Sequence, residues 1–116
     1  MQDSDTIFDK ILARQIPAAI VYEDNDVLAF KDIQPQAKIH VLVIPKRRAT
    51  NLNDLKNQPA SNLGAFMIGV AKAAEHLGLV EGGYRVVLNS GANAGQTVFY
   101  VHAHILGGEP LGTFGI

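Results

Sequence analysis

Gln96-Thr97-Val98-Phe99-Tyr100-Val101-His102-Ala103-His104-Ile105-Leu106-Gly107-Gly108 is the segment on which our interpretation of the whole chain depends. Ring-bearing and apolar side chains alternate along it, and in a β-strand alternate side chains point to opposite faces. A strand here places Tyr100, His102 and His104 on one face and the apolar residues on the other. At each of these positions, a polar ring takes the place of a large apolar side chain whose burial would stabilise the fold by roughly 1.5–3 kcal/mol. We therefore expect this face to carry chemistry.

A run of small residues, Asn89-Ser90-Gly91-Ala92-Asn93-Ala94-Gly95, comes directly before this segment. Glycines allow successive backbone N–H groups to converge on an anion. Gln96 and Thr97 follow at once with polar side chains. An anion-binding loop beside two imidazoles suggests phosphoryl chemistry.

The composition limits the class of protein. The chain has 116 residues, 47% of them hydrophobic and 18% charged, with a formal net charge of −1 and no cysteine. These values fit one domain spanning residues 1–116 and exclude disulfides and thiol catalysis. They also lack the positive field of a nucleic-acid binder. Since no apolar run approaches the roughly 20 residues of a membrane helix, we expect a cytoplasmic protein that binds no membrane.

The remaining pattern predicts an α+β fold. A short helix over Thr6–Arg14, capped by Ser4 or Asp5, is expected first. A long helix should begin at or near Pro59 and end before Gly78. Its expected core positions are Leu63, Phe66, Met67, Val70, Ala71, Ala74 and Leu77. Strands are predicted at Ala19–Tyr22, Val27–Phe30, Ile39–Ile44 and Tyr84–Leu88, and at the histidine segment. Because helices and strands do not alternate regularly, the five strands should form a mainly antiparallel sheet.

The residues Tyr100 to Leu106 resemble the signature of the histidine triad (HIT) family, His-φ-His-φ-His-φ-φ, where φ is apolar. Similarity to the Hint branch of that family extends over nearly the whole chain in the expected order. It includes Thr6-Ile7-Phe8, Ile16-Pro17-Ala18, Leu28-Ala29-Phe30, Asp32-Ile33, Pro35-Gln36-Ala37, His40 with Leu42-Val43-Ile44-Pro45-Lys46, and Gly95-Gln96-Thr97-Val98. The resemblance implies a HIT-like sheet continued across a homodimer.

The resemblance also implies an activity, that of a purine nucleoside phosphoramidase that needs no cofactor and no metal. His102 would attack the α-phosphorus of an AMP or GMP phosphoramidate, release an amine and leave a nucleotidyl-histidine for water to hydrolyse. His104 would contact the nucleophile or the phosphate, and His40 would fix a tautomer from a neighbouring strand. Without the resemblance, His40 would be interpreted as a hydrogen-bonded core residue.

Binding roles follow from the same resemblance. Phosphate contacts are expected from Asn89, Gly95, Gln96 and Thr97, a ribose contact from Asp32, and the walls of a purine pocket from Ile7, Phe8, Ile11, Phe30, Ile33 and Leu42. The residues alone would assign most of these apolar positions to the core.

Tyr100 departs from the family pattern, because histidine occupies the first triad position there. A phenol with an ordinary pKa near 10 cannot supply the charge of an imidazolium near neutrality. Tyr100 is still expected at a catalytic position, with reduced or altered activity.

Two other interpretations remain open at this stage. One is a purine nucleotide-binding or scaffold module without catalysis. The other is a zinc site made by His40, His102 and His104, a weak pattern because no carboxylate or cysteine joins them at ligand spacing.

Overall fold

One five-stranded antiparallel sheet organises the computed structural model, which describes residues 5–113. Its strands are β1 (Ile20–Glu23), β2 (Val27–Lys31), β3 (Ile39–Pro45), β4 (Tyr84–Val87) and β5 (Ala103–Gly107). Its helices are α1 (Ile7–Leu12), α2 (Leu52–Leu55), α3 (Ala60–His76) and one 3₁₀ turn (Ala92–Ala94). The strand order is β1-β2-β3-β5-β4, so the α+β prediction is confirmed. Within residues 5–113, no helix has the length and apolar character needed to cross a bilayer.

The middle of the sheet is buried on both faces. One cluster lies between the sheet and α3 and includes Val41, Val43 and Phe66. A second cluster lies beneath α1 and includes Phe8, Leu42 and Tyr100. Alternation along β3 explains this division, since successive side chains point to opposite faces. The strand therefore contributes one set of residues to each cluster.

The long helix confirms the predicted ends but corrects the predicted face. Pro59 is its N-cap, and the chain leaves the helix through Gly78 at a φ of 75°. Phe66 is fully buried, whereas Met67 is 43% exposed, Leu63 is 38% exposed, and Ala71 is exposed as well. Gly69, which the periodicity left out, lies so close to Val27 that a Cβ there would stand 2.4 Å from its Cγ1.

The first helix is shorter than predicted and has a different cap. Thr6 is the N-cap: its hydroxyl accepts from the Asp9 N–H at 3.2 Å, and its own N–H donates to the Asp9 carboxylate at 2.7 Å. This reciprocal capping box replaces the predicted Asp5 cap. Ser4, the other candidate, lies outside the described residues.

Two further differences concern the predicted elements. The histidine strand begins only at Ala103: its ladder with β3 starts at the pair Val43 and Ala103, and its ladder with β4 starts at the pair Val87 and His104. The short helix α2 was not predicted. The other strands match their predicted ranges to within one residue at each end.

Candidate active site

Two adjacent strands and the residues before one of them bring three imidazoles together. His104 lies on β5 opposite Leu42 of β3, and His40 lies two positions away on that strand. The ring centroids of His40 and His104 are 5.1 Å apart, as are those of His102 and His104. Three of the four predicted catalytic side chains therefore form one row.

Hydrogen bonding defines the tautomer of His102. Its Nδ1 lies 2.7 Å from the carbonyl oxygen of Tyr100. Because a carbonyl only accepts hydrogen bonds, Nδ1 must carry the proton, and Nε2 keeps a lone pair. The ring of Phe8 packs against this imidazole in a T-shaped arrangement at a centroid distance of 4.9 Å. His102 thus presents a nucleophilic nitrogen from a ring fixed on two sides.

A second chain of hydrogen bonds defines the tautomers of His40 and His104. The N–H of Gln36 donates to His40 Nδ1 at 2.9 Å, so the proton of that ring lies on Nε2. Nε2 then donates to His104 Nδ1, also at 2.9 Å. This leaves an N–H at Nε2 of His104. The backbone N–H of Gln36 therefore determines, through His40, that His104 is a hydrogen-bond donor at Nε2.

Burial keeps the three rings neutral. Burial first, and then the neighbouring imidazoles of His102 and His40, lowers the pKa of His104 to about 4. Burial also lowers the pKa of His102, and the bond to the Tyr100 carbonyl only partly opposes it. The pKa of His40 falls for the same reason, opposed by the charge of Asp32. Neutral imidazole is the form of histidine that can act as a nucleophile.

The side chain of Tyr100 does not join the row, which corrects its assignment as a catalytic side chain. Its ring is fully buried in the cluster beneath α1, and its hydroxyl donates to the carbonyl of Pro45. Its main chain is what contacts His102. The motif could not reveal this, because a backbone carbonyl is available from any residue.

The glycine loop, residues 89–95, was predicted to direct its backbone N–H groups at an anion, but several of these groups donate hydrogen bonds within the loop and its next residue. The N–H of Gly95 donates to Ala92, that of Gln96 to Gly91, and that of Gly91 to the Gln96 side chain. The amide nitrogen of that buried side chain donates to the carbonyls of Thr50 and Val98. Gln96 therefore builds the loop with its side chain. Gly91 and Gly95, at φ values of 91° and 88°, supply the left-handed backbone that the loop requires.

Two of the predicted phosphate ligands keep their side chains outside this loop network. Thr97 is exposed, and Asn89 is partly buried beyond the end of β4.

The predicted purine walls divide into two groups. Phe8, Ile11, Phe30 and Leu42 pack together in the cluster beneath α1. Ile7 is 51% exposed and Ile33 is 93% exposed, so neither lies in a formed wall. Asp32, the predicted ribose ligand, is partly buried and accepts a hydrogen bond from the Gln34 N–H.

Asp32 also changes the assessment of metal binding. Ligand atoms of Asp32, His40 and His104 lie within 4.8 Å of one another, so a carboxylate does join two histidines. His102, expected in the zinc set, is not part of this group. Both nitrogens of His40 already take part in hydrogen bonds, and a cation there would have to displace them.

Arg48 is a residue that the sequence did not single out. It ends the basic run Lys46-Arg47-Arg48, in which Lys46 and Arg47 form ion pairs with Glu23 and Asp26. Arg48 instead lies over the ring of Tyr100, with its Cζ 5.2 Å from the ring centroid. No sequence signal separated it from its neighbours.

An α+β sheet with a buried row of neutral imidazoles, one of them with a free ring nitrogen, defines a class of protein equipped for nucleophilic catalysis by histidine. The HIT domain family model matches residues 13–111. The chain belongs to that family.

Relatives and solved structures agree with this assignment. The purine nucleoside phosphoramidase of Escherichia coli strain K12 is 45% identical over 108 residues, covering 93% of this chain and 91% of the relative. A 14 kDa zinc-binding protein of Zea mays is 44% identical over 113 residues, covering 96% and 88%. The solved histidine triad protein of Clostridium difficile superposes with a TM-score of 0.88 at 37% identity, covering 99% of this chain and 100% of that one.

Proposed function

We propose that this protein hydrolyses the P–N bond of purine nucleoside 5′-phosphoramidates, with His102 as the nucleophile. The observation that carries the proposal is the contact between His102 Nδ1 and the Tyr100 carbonyl, which leaves Nε2 free to attack phosphorus. The activity of the E. coli relative supplies the substrate class.

The reaction proceeds in two displacements. His102 Nε2 attacks the α-phosphorus, the P–N bond breaks, and the departing amine takes a proton from water. Water then attacks the same phosphorus, gives its proton to the hydroxide left by the first displacement, and releases the nucleoside monophosphate and the free imidazole. Dividing one difficult displacement into two is the usual gain from covalent catalysis. The Tyr100 carbonyl faces the Nδ1–H, so it stabilises the positive charge that the ring gains in the intermediate.

His104 acts as a hydrogen-bond donor in this scheme. With a pKa of about 4 it is neutral near pH 7 and holds no surplus proton to release. Its Nε2–H would instead stabilise the charge that builds on the phosphate oxygens in the transition state. His40 and the Gln36 N–H keep it in the donor tautomer.

The nucleotide would lie along the α1 face of the sheet. Asp32 would accept hydrogen bonds from the ribose hydroxyls, while Phe8, Ile11, Phe30 and Leu42 would contact the purine of an AMP or GMP derivative. Ile7 and Ile33 would close over the base from outside. Phosphate oxygens would meet the Thr97 hydroxyl and Asn89, and the N–H groups of Gly95 and Gln96 would have to leave their acceptors in the loop to join them.

A covalent adduct tests the proposal. The protein is mixed with an adenosine phosphoramidate, quenched and analysed by mass spectrometry, and we expect an adenylyl group on His102. His102→Gln should lose both the adduct and amine release. His76→Gln, which changes an exposed histidine outside the row, should keep both. Amine release without dependence on His102 would contradict the mechanism.

Two alternatives have distinct outcomes. Nucleotide binding with neither adduct nor amine release would indicate a non-catalytic binding module, the alternative raised by tyrosine at the first triad position. The three imidazoles, however, are in place without the side chain of Tyr100. Activity lost to a strong chelator and restored by zinc would favour a metal at Asp32, His40 and His104, as the name of the maize relative suggests.

We further propose a cytoplasmic homodimer in which β4 continues the sheet into a second copy. β4 is an outer strand and pairs on one side with β5. An unpaired strand edge is a template for another strand.

A further inference from the structure

The peptide group between Tyr100 and Val101 controls the ring of His102. Its carbonyl accepts from His102 Nδ1, and its N–H donates to the carbonyl of Ala49, both at 2.7 Å. This group precedes β5, so the ladder that orders residues 103–107 does not hold it. Its orientation must therefore come from contacts with other segments.

The side chain of Tyr100 supplies one of these contacts. It is fully buried, and its hydroxyl donates to the carbonyl of Pro45 at the end of β3. Burial raises the pKa of this phenol to about 12, so it stays a donor at every pH at which an imidazole titrates. A histidine at this position would itself titrate, whereas this anchor does not change with pH.

Arg48 supplies three more contacts. Its guanidinium lies over the Tyr100 ring, 5.2 Å from the centroid, in a cation–π arrangement. Its Nη2 donates to the carbonyl of Phe99 at 3.2 Å, and its Nε donates to Asp9 at 2.9 Å. Arg48 thus ties the residues before His102 to α1, the helix whose Phe8 packs on the same imidazole.

All of these contacts originate from one segment, residues 45–49, which we call the clasp. We propose that the clasp is a positioning element for the nucleophile: through Tyr100 and Arg48 it holds the peptide group whose carbonyl keeps the proton of His102 on Nδ1. If that peptide rotated, Nδ1 would lose its acceptor. The tautomer protonated at Nε2 would then gain population, and it has no lone pair at the attacking nitrogen. Tyr100 and Arg48 are positioning residues, since they act through His102.

Tyr100→Phe removes the hydroxyl and keeps the ring under Arg48. We expect kcat for an adenosine phosphoramidate to fall about 3- to 10-fold with KM nearly unchanged, the range that loss of one neutral hydrogen bond gives. We also expect ¹⁵N NMR of the free protein to change from a single Nδ1–H tautomer of His102 to a mixture. A purely structural role would lower stability and leave the tautomer as it was.

Arg48→Gln and Arg47→Gln form a matched pair, because each removes one positive charge from the same turn. Arg47 is bonded to Asp26, away from Tyr100. Arg48→Gln should lower kcat and mix the His102 tautomers, and Arg47→Gln should do neither. The two arginine variants still test the proposal if Tyr100→Phe does not fold. Both arginines are exposed, so replacing them should leave the protein folded.

The inference fails if His102 keeps a single Nδ1–H tautomer in Arg48→Gln and in folded Tyr100→Phe. It also fails if the two arginine variants behave alike. The kinetic prediction rests on the proposed function, but the tautomer is measured without substrate. A wild-type protein that is inactive toward phosphoramidates would therefore contradict the proposed function, while the NMR result would still decide the role of the clasp.

Discussion

His104 is the residue whose protonation is altered most clearly by its surroundings. Its pKa is about 4 in the folded protein, against an ordinary value of 6.5. The unfolded chain therefore binds this proton at a higher pH than the folded chain does. The resulting contribution to stability is complete above pH 6.5 and is lost as the pH falls from 6.5 through about 4.

We predict that the His104 ring, followed by NMR, stays neutral until the pH approaches 4. The urea midpoint of unfolding should decrease over the same interval, from pH 6.5 to 4. The unfolded protein in urea provides the control, because the same ring should titrate there near 6.5. A folded-state titration near 6.5 would show that the row is more hydrated than its burial indicates.

Individual residues also show what a sequence reveals about a site. His102 and His104 were singled out because two imidazoles in one apolar strand are themselves a chemical signal, whereas His40 was placed with them only by the family resemblance. The tautomers could not, since they are fixed by the Gln36 N–H and the Tyr100 carbonyl, which every residue type possesses. The same limit explains why the motif placed the side chain of Tyr100 with the histidines, whereas its hydroxyl donates to the carbonyl of Pro45.

At the scale of elements, α3 shows where periodicity is sufficient and where it is not. Its ends were predicted from Pro59 and Gly78, whose backbone restrictions act locally. Its buried face was predicted only in part, because Gly69 faces Val27 and allows the helix to approach the sheet there. Size complementarity between two distant segments is not visible in the spacing of apolar residues.

Two glycines of α3 give opposite predictions for the same substitution. A Cβ at Gly69 would stand 2.4 Å and 2.7 Å from the two γ-carbons of Val27, a buried residue without a flexible end. Gly69→Ala should therefore destabilise the protein by about 1–3 kcal/mol through overpacking. Gly64→Ala meets nothing within 4 Å and should stabilise it by up to about 1 kcal/mol through helix propensity.

Chemical denaturation of both variants measures the difference. Because each exchange adds one methyl group to the same helix, the opposite signs would isolate the contact with Val27. Equal stabilisation by both alanines would mean that α3 shifts away from the sheet at little cost.

On the scale of the whole molecule, the sheet has two outer strands that differ in their surroundings. β1 lies at one end and contacts α3, whereas β4 lies at the other end beside β5. Apolar side chains are exposed on β4 at Val86 and on α3 at Leu63 and Met67. Leu63 and Met67 are four residues apart and therefore share one face of the helix. A second copy of the chain that paired with β4 and covered this face would bury them.

We predict that the wild type is a dimer in solution and that Met67→Glu makes it a monomer, as measured by light scattering after size exclusion at micromolar concentration. A buried, unpaired carboxylate at the interface would oppose association because its desolvation is not compensated. Val86→Lys should have the same effect, since lysine on an outer strand prevents edge pairing. Ile20→Glu is the control: it changes a side chain of nearly equal exposure, 42% against 43%, on the opposite outer strand. Dissociation by Ile20→Glu alone would place the interface at β1, and a monomeric wild type would exclude the dimer at this concentration.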